Sequence, residues 1–141
     1  MHSLLEQAAP GLSGKLSTAS LSKRREVIAA GCAAVATMLQ DLAPVIRELV
    51  DKLTLQGELS NEELAAVQSL AETADEEYLE LHERQKEQLA LARFSEARLL
   101  TAITKGFGGT SVDDSADAVY ELCSACDDPS AVIREIEAII S

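Results

Sequence analysis

Residues 60–106 read SNEELAAVQSLAETADEEYLELHERQKEQLALARFSEARLLTAITKG, and the fold turns on whether this stretch is one helix. Ser60 and Glu63 have the spacing of a capping box, in which each side chain satisfies an amide at the helix start. Lys105 and Gly106 supply a stop signal at the far end. No Gly or Pro interrupts the interior, and most of it is Ala, Leu, Glu, Gln, Lys and Arg, the strongest helix formers. At the standard rise, ~45 residues extend about 66 Å. A compact chain of this length measures about 37 Å across. Such a helix must protrude, pair with another copy, or break.

The preceding segment predicts a partner for it. Ile28, Cys32, Val35, Leu39, Leu42, Ile46, Leu49 and Leu53 alternate by four and three, the spacing of a coiled-coil seam. Gly31, Ala33, Ala34 and Ala36 flank its start and permit close approach of a neighbouring helix. Pro44 falls on the outward face, so a kink rather than a break is expected. The short connection through Gly57 makes the two helices antiparallel neighbours. The expected elements are therefore helices at about 21–54, 60–105, 112–126 and 129–140 in a single helical domain, 20–141. The fold class is all-α: a coiled-coil-like antiparallel hairpin of long helices with two short C-terminal helices. Residues 1–19, rich in Ser, Gly and small side chains from Ala8 onward, read as a disordered tail.

The long stretch matches the seam only in its first half. Leu64, Val67, Ala71, Ala74, Tyr78 and Leu81 keep the alternation, and then Gln85 and Gln88 take seam positions within a polar run, His82 to Gln88. A run polar on every face buries nothing against a partner. Beyond it Leu89, Leu91, Phe94, Leu99, Leu100 and Ile103 form a broad apolar surface that needs either the C-terminal helices or a second copy. A homodimer through these six residues is the expectation, and completion of the bundle by dimerisation would keep the long helix straight.

The 24 acidic against 12 basic residues, a net charge of −12, speak against phosphate backbones and anionic membranes as partners. The only dense basic cluster is Lys23-Arg24-Arg25. At 3% aromatic residues and no Trp, the core has to be aliphatic and base stacking has no platform. No apolar run is long enough to span a bilayer. An odd set of three cysteines and no basic-apolar leader predict a cytoplasmic setting. The small-residue N-terminal segment is also similar to uncleaved export signals of some specialised bacterial secretion systems, which leaves export open.

Catalytic and metal chemistry finds little purchase. Cys123 and Cys126 form a Cys-x-x-Cys pair, half of a zinc site. A redox reading needs a strand before it, and free Cys at this spacing commonly packs on a helix's inner face. Cys32 and His82 lie in other helices. Gly106-Phe107-Gly108-Gly109 lacks the flanks of a phosphate loop, faces Asp113 and Asp114, and reads as a flexible hinge. Glu76, Glu80, Glu83 and Glu87 are a solvated stripe without the histidine spacing of a di-iron bundle. Two histidines assemble no nucleophilic pair. No enzyme and no cofactor is expected. The expected function is a protein–protein interaction module, namely an adaptor, a secretion-type chaperone or a regulatory subunit. The alternatives are an acidic inhibitor of a basic target, in the manner of an immunity protein, and a small-ligand or metal-binding bundle.

Overall fold

The computed structural model describes residues 3–39 and 42–140, which form eight α-helices and no strand. They are α1 (Ser3–Ala8), α2 (Leu12–Thr18), α3 (Leu21–Met38), α4 (Pro44–Gln56), α5 (Asn61–Glu83), α6 (Glu87–Gly108), α7 (Val112–Ser124) and α8 (Ser130–Ile140).

The long stretch begins as its sequence predicts. Ser60 Oγ accepts from Glu63 N while the Glu63 carboxylate accepts from Ser60 N, so the capping box is complete. It then breaks. Arg84 and Lys86 close the end of α5 through backbone bonds to Glu80 and Leu81, and Gln85 turns the chain with φ +60°. A left-handed non-Gly residue costs about 1–2 kcal/mol. The return is larger: α6 folds back along α5, and Leu99, Leu100 and Ile103 become fully buried. Each such side chain contributes about 1.5–3 kcal/mol. The polar run His82–Gln88 has no apolar face to hold a straight helix against this gain. Tyr78 on Phe94, Asp75 with Arg98, and Leu64 beside Gly108 mark the antiparallel register.

The hairpin is therefore α5 with α6, not the first long helix with the second. The segment 21–54 is itself divided, because Pro44 starts α4 instead of kinking a continuous rod. A residue before proline is pushed to extended backbone, and Ala43 adopts φ −60°, ψ 138°. Proline at the first helical position also lacks an amide that the helix could not have used.

Helix α6 lies between α5 on one side and α3 and α7 on the other, while α3 also carries α4 and α8. Two glycines set these crossings. A Cβ on Gly106 would sit 2.8 Å from Ile28 Cδ1, and one on Gly31 would sit 2.8 Å from Leu122 Cδ1 and 3.3 Å from Ile136 Cδ1. The close approach expected beside Gly31 is made by α7 and α8. Gly106 does not end its helix, which runs on through Phe107 to Gly108.

The expected hinge after Gly106 is clasped by the chain's basic cluster. Buried Arg24 donates to Ser115 Oγ at 2.9 Å, Ala19 O at 2.8 Å and Thr110 O at 2.7 Å. Arg25 donates to the carbonyls of Gly106, Phe107 and Gly109 at 3.2–3.4 Å, where helix-end carbonyls carry partial negative charge. Lys23 pairs with Glu26.

The expected disordered tail, 1–19, contains α1 and α2 instead. Leu5, Ala9, Leu12 and Leu16, spaced four, three and four, are all buried, and these helices lie on α7, with α2 also reaching α8. Gly11 opens α2 at φ +85°, a region that favours glycine, and its amide donates to Glu6 Oε1 at 2.9 Å.

Candidate functional site

Three chain reversals meet at one end of the molecule and leave a groove of about 470 Å³ between them. The end of α3 and the connection to α4 supply Met38, Leu39 and Leu42. The first turns of α6 supply Gln88, Leu91, Ala92 and Phe94. The turn from α7 to α8 supplies Cys126, Asp127 and Asp128.

Each wall is fixed from behind. Glu96, only 3% exposed, accepts from Ala43 N at 2.9 Å and pairs with Arg93. A carboxylate at the start of α4 also opposes the positive end of that helix. Arg98 stands over the Phe94 ring at 5.5 Å and reaches Glu121 at 2.8 Å and Asp75 at 3.2 Å, joining α5, α6 and α7. Asp128 receives both the amide and the hydroxyl of Ser130, which starts α8 and holds the Asp128 carboxyl below its usual range. The Cys126 thiol donates to Leu122 O at 3.6 Å.

The groove's surface is mixed, apolar over Met38, Leu42, Leu91 and Phe94 and polar at Gln88, Ser95 and Ser124, with an acidic lip. Met38 is 38% exposed and Leu91 58%, with Leu89 at 51% just outside. Asp127 and Asp128 are exposed. Burial first, then the neighbouring charges of Asp127 and Asp128, push the Cys126 thiol up. The two carboxylates give this end of the groove its negative charge.

Burial and then the charge of Cys126 push the Cys123 thiol up to about 11, and burial alone pushes Cys32 up to about 12. Thiolate is the nucleophilic and metal-binding form, so all three cysteines stand in surroundings that disfavour it. Among the described residues no three His, Cys, Asp or Glu side chains converge as a metal site. His82 stacks on Tyr78 and lies 3.2 Å from Glu87. Glu76, Glu80 and Glu83 are exposed on α5, with Glu80 paired to Arg84, whereas Glu87 belongs to the next helix.

The six residues of the expected self-association surface separate. Leu99, Leu100 and Ile103 are inside the chain, Phe94 is half-buried, and only Leu89 and Leu91 remain well exposed. The seam residues also part company. Ile28, Cys32 and Val35 are fully buried on α3, and Leu39 and Leu42 turn toward the groove. Ile46 and Leu53 are buried on α4, with Leu49 half-buried facing a small cleft against α5. Sequence reasoning gave no role to Met38, Glu96 or Arg24. Met38 sits one position off the seam, and the burial of the two charged residues depends on distant segments that no local pattern marks.

Among the described residues no helix is long and apolar enough to cross a membrane. No protein-family model, curated protein or solved structure matches the chain.

Proposed function

We propose that this chain is a protein–protein interaction module and that the groove at Met38, Leu42 and Leu91 is its working surface. The observation that carries the reading is the exposure of Met38 and Leu91, at 38% and 58%, beside a concave surface that also presents Leu39, Leu42 and Phe94 on an acidic molecule. An apolar helix face laid into such a groove gains area while its polar face stays in water, a recurrent mode of peptide recognition. Adaptor, chaperone and regulatory roles all use a surface of this kind.

A fluorescein-labelled amphipathic helix of Leu and Gln, about 14 residues long, serves as a neutral probe of this mode. Its binding, read by anisotropy, is expected to fall at least about tenfold in Leu91→Asp, since a charge in the contact is desolvated without a partner. Leu91 is exposed, so the variant keeps its fold, checked by circular dichroism. Equal binding by the variant and the parent chain would remove the groove from this role.

Self-association is the second reading, favoured by Leu89 and Leu91 both standing exposed at the start of α6. A net charge of −12 on each copy opposes it. Light scattering decides: a dimer near twice 15.0 kDa that dissociates on Leu89→Asp would favour the second copy. A monomer at every concentration would end that reading.

A further inference from the structure

We propose that the occupant of the groove is a basic amphipathic segment, whose apolar face covers Met38, Leu42 and Leu91 and whose Lys or Arg side chains lie against Asp127 and Asp128. The inference rests on the groove being the working surface.

The charge balance around the groove is one-sided. Its charged lining consists of Glu96, Asp127 and Asp128. Glu96 is already engaged by Arg93 and the Ala43 amide. Asp127 and Asp128 face solvent, the hydroxyl and amide of Ser130 that Asp128 receives carry no charge, and Arg134 on α8, outside the groove lining, is the weakest of the influences that lower the Asp128 carboxyl. Nor does the chain's basic cluster supply a free basic face, since Arg24 and Arg25 are turned inward on carbonyl oxygens and Lys23 pairs with Glu26. A second copy would bring another acidic lip to this one. An acidic segment would be repelled, and a neutral one would leave two carboxylates at the edge of an apolar contact to be partly desolvated. A basic flank converts that cost into attraction.

The test compares three labelled helices of equal length, Leu/Lys, Leu/Gln and Leu/Glu, at about 20 and 200 mM salt, on either side of strong screening. At low salt Leu/Lys is expected to bind about tenfold more tightly than Leu/Gln, and the advantage should shrink as salt rises. Because any acidic protein attracts a cation, two paired variants of equal charge locate the effect. Asp127→Asn with Asp128→Asn, which leaves an acceptor for Ser130, should abolish most of the Leu/Lys advantage. Glu72→Gln with Glu76→Gln, exposed on α5 outside the groove, should leave most of it. Bound Leu/Lys should also protect Cys126, the one partly exposed thiol, from alkylation.

Equal binding of Leu/Lys and Leu/Gln, or an equal loss in the two paired variants, would overturn the basic-partner inference while the groove reading stood. Binding of none of the three helices would overturn both.

Discussion

Around Leu39, Leu42 and Ala43 the chain passes from one helix to the next against the protein's interior, whereas at Arg84–Lys86 it turns in water. The first passage is announced by Pro44 and held from outside its own segment. Glu96, more than 50 residues away in sequence, receives the Ala43 amide at 2.9 Å. The second passage is held locally by backbone bonds from Arg84, Gln85 and Lys86, and all three side chains are exposed. A break that depends on a distant buried charge should be costly to disturb, and one built from its own backbone should not. Both breaks bring walls to the groove, but only the first is fixed by a buried side chain, so a side-chain substitution links stability and partner binding there and separates them at the second.

The largest effect is therefore expected from Glu96→Ala. It removes a carboxylate that is 3% exposed and leaves both Arg93 and the Ala43 amide without that acceptor. Breaking a buried ion pair on one side costs about 3–5 kcal/mol. The partial exposure of Arg93 places this case at the lower end, about 3 kcal/mol. Glu96→Gln keeps an acceptor for the amide and should lose about 1–2 kcal/mol, the scale of a charged against a neutral hydrogen bond. Urea unfolding measures both, with an unchanged m-value showing that the midpoint shift is stability alone. If the two variants cost the same, the cap is irrelevant and the charge on Glu96 alone fixes the first break; a Gln variant as stable as the parent would give that role to the cap.

The two breaks were also unequally legible in the sequence. Pro44 marked the first position, yet a proline on the outward face of an apolar seam is equally compatible with a kink. What decided the outcome is the Glu96 contact, which joins residues that no local pattern relates. The second break was written into His82–Gln88 as an absence of apolar residues, but a polar run also suits a rod pairing with a second copy. Periodicity marks which side chains turn inward, and the eight positions from Ile28 to Leu53 are buried or half-buried. It does not say which element covers them. The same four-three spacing was present in Leu5, Ala9, Leu12 and Leu16, where Gly11, Gly14 and several serines obscured it. The groove was the least legible feature, because it is made by three reversals whose meeting depends on the break at Gln85.

The second break should improve rather than suffer under Gln85→Gly. Gln85 holds φ +60° with an exposed side chain, and glycine removes the left-handed cost of about 1–2 kcal/mol. Against this stands about 0.5–1 kcal/mol of extra chain entropy lost on folding. A net gain of about 0.5–1 kcal/mol in urea is expected, with Leu/Gln helix binding unchanged. A loss of stability would mean that the Gln85 side chain makes a contribution its exposure does not suggest, and the contrast between the two breaks would weaken.

Glu83→Ala, one residue before the same break, should be the quietest change. The side chain is exposed at the last turn of α5, where a negative charge faces the negative end of the helix dipole. Its removal relieves that repulsion slightly, and alanine is the better helix former, so the two effects share a sign. Both are small at a surface position, and a change within about 0.5 kcal/mol, toward greater stability, is expected. Amide exchange at Gln85 and Lys86 provides the sharper readout. Their donors go to His82 O and Leu81 O at 3.0 and 2.9 Å, and neither bond involves the Glu83 side chain. Unchanged protection at both amides would place the hold on the second break in its backbone. Faster exchange there would show that the acidic stripe shapes the turn, so that the two breaks depend alike on charged side chains.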